Sequence, residues 1–536
     1  VTRSPAILPL ALVVLIATAS AFNLAKPVHI DDPTHLDVAA HVADHPSRPM
    51  EGMLHWGGRT RPAFQEMNQP PLFHYLLAAS MHFFTPPELA GHVVLAVASG
   101  LVILFCFGVA RRLVPDSALV VTAVCALSPA FLPAQNIMTD VPMLAFCLAA
   151  VYFLLRAQET STPGPPYLLA GLALAAACLL KYTSLGLLAA FAVVLIGRRH
   201  WRWLWSLAIP LGALAAWSLW SDGLYGRSHL MTRVVSLDPA VIGVKSIDWL
   251  SGVGLAVPGA WLMLASRPFS TWTLVAGGLA TTSAAAMLAV MLVNRFGDAQ
   301  AGWVTALLVA NGVAAIAAAV RGVVTGRSTG VDLLDRDRRL VLGFWLVGAA
   351  GAAIVLAPFM ALRHVLFAVP PIVLLGFRGH EDWMRRRTVA FAMLVVTALP
   401  GAALAAADFA WAAVYPRYVA VLAERYPAPP ASVVTVGHWG WQWYARRRGW
   451  QSYDPRQTTL RTGDLVFEPI EVTRPLFSNE HARRLILIGE VPVPVTALTT
   501  IRTPQLYTYS WRMGLAPIAV SRSPVETFRV YRANGP

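Results

Sequence analysis

PLFHYLLAASMHFF, residues 71–84, is apolar enough to enter a membrane but short for a helix that must cross one. A hydrocarbon core of ~30 Å takes about 20 helical residues to span. Pro86 and Pro87 follow directly. Taken as a re-entrant or interfacial helix, the segment leaves an odd number of crossings. Taken as a span, it inverts every loop after it. The arginines choose between the two. With the N-terminus cytoplasmic and 71–84 not spanning, the inner loops hold Arg111–Arg112, Arg156, Arg198–Arg199 and Arg202, Arg267, Arg321 to Arg339, and Arg378 to Arg387. The short outer loops hold only isolated cations, Lys181, Arg227, Arg233, Lys245, Arg295 and Arg363. Every arginine cluster before residue 411 then lies inside, as the bias of basic residues toward the cytoplasm requires.

Composition agrees with that reading. Of 536 residues, 56% are hydrophobic and 13% charged, against about 25% charged in a soluble domain. Backbone amides in lipid must be paired internally, so the long apolar runs become helices. The pattern predicts an all-α polytopic membrane protein with about 13 transmembrane helices. They include 5–22, 88–110, 117–134, 139–157, 271–293 and 388–410. The first run ends in SAF, which mimics a cleavage site, and reads as a retained signal anchor. The net charge of +14 fits basic cytoplasmic loops, not nucleic acid. Cys106, Cys125, Cys147 and Cys178 lie inside apolar runs and read as small core residues, without a disulfide framework or metal-ligand spacing.

The chain divides into a membrane part, 1–410, with a long first outer loop over about 23–87, and a tail, 411–536. The odd number of spans places the tail outside. Short strands at 432–437, 464–469 and 484–494, with a helix WGWQWYARRRG between the first two, predict a small extracytoplasmic α/β domain. Trp439, Trp441, Trp443 and Tyr444 read as core packing or an interfacial belt, with a carbohydrate-facing surface as the alternative.

The residues that could do chemistry sit at the outer ends of spans. Asp31 and Asp32 follow the first span by a few residues. Asp32 before Pro33 suits a helix N-cap. Paired carboxylates also suit a general base or a divalent-cation site, with His35 as a further ligand candidate. His29, His41 and His45 accompany them, in a spacing that matches no closed zinc site. Asp140 begins a span in TDVPMLAF, where an N-cap is again the plain alternative. Lys26, Lys181 and Lys245 are the only lysines beside 39 arginines. Lys181, almost without a loop between two apolar runs, is an anion-ligand candidate or a snorkelling side chain. Arg363, in ALRHVLFAVPP, can donate two parallel hydrogen bonds to a phosphate.

These motifs, in this order, resemble the GT-C superfamily of polyprenyl-phosphate-sugar glycosyltransferases. The nearest branch is the bacterial one that includes protein O-mannosyltransferases and lipid A aminoarabinose transferases. The resemblance rests on the acidic pair, PPLFHYLLA, TDVPMLAF, LLKYTSLGLL and LRHVLFAVPP, and covers roughly residues 5–410. It implies a sugar donor on polyprenyl phosphate, such as undecaprenyl phosphate, and a glycan, lipid or protein acceptor at the periplasmic face of a bacterial inner membrane. It implies catalytic roles for Asp31, Asp32 and Asp140, and donor-phosphate binding by Lys181 and Arg363. Two departures bear on donor recognition. His92 stands where the family often has arginine, and Asn68–Gln69 precede the Pro-Pro pair where the family often has His or Lys. A flippase for lipid-linked sugars is the rival reading, but transporters place ionisable residues near the bilayer midplane and show repeats.

Overall fold

A computed structural model describes residues 7–197, 199–232, 237–264, 287, 290–291, 299–324, 333–501, 509 and 516–535. The expected span 271–293 lies outside the described residues almost entirely. Among the described residues, seven helices are long and apolar enough to cross a membrane, and five further apolar helices are shorter. The protein is thus a mostly helical, multi-pass membrane protein with a small C-terminal sheet region.

Helix Pro87–Leu113 shows how sequence sets an element. Pro87 opens it, where a missing N–H costs nothing, and Arg111 and Arg112 occupy its last turn. There they face the negative end of the helix dipole. The segment in question, Leu72–Met81, is a helix of ten residues. At 1.5 Å per residue it rises about 15 Å, half a hydrocarbon core.

The loops assigned inside meet at one end of the bundle. Glu159 pairs with Arg112 at 3.0 Å and with Arg338 at 2.6 Å, and Asp116 pairs with Arg385 at 2.6 Å. Arg378 pairs with Asp335 and donates to the Leu113 carbonyl at 2.8 Å.

Residues 117–134 depart from expectation. A 3₁₀ turn, Pro115–Ser117, leads into helix Ala118–Ala126, and residues 127–139 run on without regular structure, nearly all buried. Irregular backbone at membrane depth survives only where protein satisfies it. Here Asn23 donates to the Leu132 carbonyl at 3.2 Å, and the Ser128 hydroxyl accepts from the Ala130 amide at 3.1 Å and donates to the Ala256 carbonyl at 2.6 Å. Gln135 joins the Ala19 carbonyl at 2.9 Å to the Ser99 hydroxyl at 2.8 Å.

The first outer loop is more ordered than its polarity suggests. It carries helix Asp32–Asp44 and a hairpin of β1, Met53–Trp56, and β2, Arg59–Pro62, turned by Gly57 and Gly58 at φ 61° and 71°. Those left-handed angles suit glycine.

The C-terminal sheet contains β3, Val433–Thr435; β4, Gln451–Ser452; β5, Leu465–Pro469; β6, Leu485–Pro492; and β7, Thr527–Ala533. Their order is β4-β3-β5-β7-β6, parallel among the first three and antiparallel beyond. The connecting helix Trp439–Arg447 buries all three of its tryptophans, so the aromatic cluster is core packing. That helix also grips the membrane part. Tyr444 accepts from the Val28 amide at 3.0 Å, Trp443 donates to Glu88 at 2.9 Å, and Arg446 pairs with Asp37 at 2.8 Å.

Candidate active site

Asp31 and Asp32 are neighbours in sequence with different surroundings. Ile30 before them adopts φ 47°. A β-branched residue there is strained, and such strain collects at functional sites. Asp31 takes the N-cap position of Asp32–Asp44, yet its carboxylate makes no capping bond. It lies 3.6 Å from Arg363 Nη2, with a third of its side chain open to solvent. Asp32 is fully buried. One of its oxygens accepts from the His29 amide at 2.9 Å, the other from the Ile137 amide at 2.8 Å. Asp32 therefore ties the acidic loop to the irregular segment, and Asp31 faces the open side.

Three more elements converge on Asp31. Asp140 is the first residue of helix Asp140–Ala157. Lys181 ends helix Gly164–Leu180 in an extended conformation, and its Nζ donates to Asp140 Oδ1 at 2.5 Å. Arg363, in the short helix Leu362–Val365, holds Nε 3.8 Å from Asp140 Oδ2. The four side chains thus alternate in sign: Asp31, Arg363, Asp140, Lys181. Asp140 lies between two cations that would otherwise repel in a poorly solvated setting. The Arg363 guanidinium also donates to the Tyr509 carbonyl at 3.4 Å.

Electrostatics separate the candidate roles. Although a third of the side chain reaches solvent, the protein packed around it raises the Asp31 carboxyl above its ordinary range by desolvation; Arg363 pulls it down, Asp140 pushes it up, and Lys181 pulls it down. Burial likewise raises Asp32, against Lys26 and the two amides it accepts from. Burial, with Arg363 and Lys181 nearby, pushes His35 down to about 3, so its ring is neutral at physiological pH. Its Nδ1 lies 3.0 Å from His74 Nε2. Among the described residues no group of three or more His, Cys, Asp or Glu side chains is arranged to hold a metal ion.

The remaining candidates lie on other elements. Asn68 is exposed and Gln69 half-buried, with the Gln69 side-chain carbonyl accepting from the Asn68 amide at 3.2 Å. His92 is buried inside Pro87–Leu113. Neither Gln69 nor His92 is joined by a hydrogen bond or ion pair to the alternating four.

A second polar cluster has no place in the sequence reading. Lys26 donates to Asn136 and to Asp408, Tyr509 donates to Asp408 at 2.8 Å, and His29 Nε2 lies 3.6 Å from Asp408. Its signals are faint: one lysine of three, and one carboxylate inside the last apolar run. A buried ion pair is costly to break from one side. This one joins the acidic loop, the irregular segment, the last long helix and the tail.

The chain is thus a helical membrane bundle in which two acids and two cations alternate at a set of helix ends. Residues 68–223 match the family model of dolichyl-phosphate-mannose-protein mannosyltransferases. The resemblance to GT-C glycosyltransferases is borne out over that stretch, which contains Asp140 and Lys181. No curated protein matches the chain. Among solved structures the chain is similar to ArnT from Cupriavidus metallidurans bound to undecaprenyl phosphate, at 12% identity, covering 98% of both chains with a TM-score of 0.41. It is also similar to the oligosaccharyltransferase AglB from Archaeoglobus fulgidus in complex with an inhibitory peptide and a dolichol-phosphate. There the identity is 13%, over 86% of this chain and 69% of that one, at a TM-score of 0.46. A third is the arabinosyltransferase EmbB from Mycobacterium smegmatis, at 14% identity over 94% and 49%, with a TM-score of 0.35.

Proposed function

We propose that this chain is a membrane glycosyltransferase that moves a sugar, hexose or pentose, from a polyprenyl-phosphate donor to an acceptor hydroxyl, with inversion. The observation that carries the proposal is the convergence of Asp31, Asp140, Lys181 and Arg363 from four distant segments. Each group has a step to perform. The donor phosphate accepts hydrogen bonds from Arg363 and Lys181, and Asp140 keeps both cations aimed at it. By taking donors from Arg363, the phosphate releases Asp31, which now lies 3.6 Å from that guanidinium. Asp31 then accepts the proton of the acceptor hydroxyl. The acceptor oxygen forms a bond to the anomeric carbon. The bond from that carbon to the phosphate oxygen breaks, and its electron pair leaves on polyprenyl phosphate. The two cations stabilise the charge that develops there. Asp32 positions this loop through its two backbone partners.

The site faces the periplasmic side of a bacterial inner membrane under this reading, with the tail above it. A flippase is disfavoured because these charges lie at helix ends: Asp140 at a start, Lys181 at an end. The test is Asp31→Asn in an assay of polyprenyl phosphate release. Transfer falls to near background in folded protein if Asp31 is the base; unchanged transfer rejects the assignment.

A further inference from the structure

Lys181 is placed by its neighbour. Tyr182 begins the 3₁₀ turn Tyr182–Leu187, and its buried hydroxyl is engaged from two sides. The Trp217 indole N–H lies 2.9 Å from that oxygen, and His229 Nδ1 lies 2.8 Å from it. His229 Nε2 in turn lies 3.1 Å from the Met67 carbonyl. Chemistry fixes the direction of each bond. An indole N–H only donates and a carbonyl only accepts. In a neutral imidazole Nε2 therefore carries the proton, Nδ1 accepts, and the Tyr182 hydroxyl donates to it while accepting from Trp217. Every polar atom in this chain has its partner. Trp217, Tyr182 and His229 are all buried, and the His229 amide is held by Ser221 at 3.0 Å.

The ends of this strut are informative. One end is Met67, immediately before Asn68–Gln69 and the Pro-Pro pair that close the first outer loop. The other is the residue after Lys181, whose backbone leaves the helix at φ −159° and ψ 128° to aim its ammonium at Asp140.

We infer that Tyr182, Trp217 and His229 are positioning residues for the lipid-phosphate site: they hold Lys181 in register with the first outer loop. The inference rests on the reading of Lys181 as a phosphate ligand, and goes beyond it by naming what sets the ligand's position.

The experiment uses the purified full chain in detergent, with undecaprenyl phosphate and undecaprenol as probes, so that charge recognition is read apart from binding of the lipid tail. Lys181→Ala tests the underlying reading. It should abolish most of the preference for the phosphate over the alcohol. Tyr182→Phe keeps the ring and removes the hydroxyl. It should lower that preference about five- to tenfold, the scale of one lost buried hydrogen bond, with undecaprenol affinity unchanged. His229→Ala should do the same. If Lys181→Ala leaves the preference intact, the phosphate reading fails. If Lys181→Ala removes it while folded Tyr182→Phe and His229→Ala keep it, the strut inference fails. Equal weakening toward both probes identifies a merely structural role and also overturns it. Trp217→Phe supplies a third variant should His229→Ala not fold.

Discussion

Asp31 and Asp32 differ by what their oxygens touch. Asp32 accepts two buried backbone amides, whereas Asp31 touches none and faces Arg363. Asp31→Asn should therefore lower kcat by about 10²–10⁴ with an unchanged unfolding midpoint. Asp32→Asn leaves one amide without a good acceptor and should destabilise the protein by about 1–3 kcal/mol, read as a lower thermal midpoint in detergent. The pH profile separates them further. Asp31 acts in its charged form, and burial lifts its pKa above 3.8. Activity should thus fall as pH drops through a midpoint above that value; an acid limb at or below it would contradict the assignment. Sequence alone showed an acidic pair near the membrane surface, because two adjacent carboxylates in an acid-poor chain stand out. It placed the helix cap at Asp32, whereas Asp31 takes that position and Asp32 is the first helical residue. The carboxylate in the cap position makes no cap bond, and only tertiary contacts reveal that. Lys26–Asp408 was illegible for a similar reason: its partners are 382 positions apart.

Among elements, helices set by long apolar runs were readable, and the broken one was not. Run 117–134 is apolar enough to promise a full span, yet the helix ends at Ala126 and Pro129 follows two residues after Leu127. Its irregular continuation persists because side chains satisfy its backbone: Asn23 donates to the Leu132 carbonyl, Ser128 accepts from the Ala130 amide and Asp32 from the Ile137 amide. The pair Pro239–Ala256 and Ala299–Val324 shows the opposite dependence, on small residues. A Cβ on Gly254 would meet the Leu308 carbonyl at 1.8 Å, and one on Gly312 the Leu250 carbonyl at 2.0 Å. Close approach of this kind drives helix association where water gives no hydrophobic push. It also lets Asn311 donate to the Gly254 carbonyl at 2.6 Å. Gly254→Val should separate the helices and lower the thermal midpoint by several degrees. A substitution of the exposed Val313 to alanine on the same helix should not.

The whole molecule is organised by side. Arginine-rich loops meet at one end through Glu159, Asp116 and Asp335, and the alternating acids and cations meet where other helices begin or end. Charge bias made the arginine-rich end legible before any contact was known, since it follows from composition along the chain. The tail's grip on the first outer loop through Tyr444 and Arg446, and on helix Pro87–Leu113 through Trp443, was not legible, because its strands and helix gave no sign of what they face. The four native cysteines are buried, so single added thiols report topology. In intact cells a membrane-impermeant maleimide should label Arg456→Cys, in the tail, and spare Asp116→Cys until the membrane is opened. The reverse pattern would invert the orientation. The most direct test of the central claim gives the purified full chain a radiolabelled undecaprenyl-phosphate sugar, with extracted envelope acceptors. The account predicts saturable release of undecaprenyl phosphate with the label transferred, lost in Asp31→Asn. Label that crosses a vesicle membrane still attached to its lipid, or release that persists in Asp31→Asn, would contradict it.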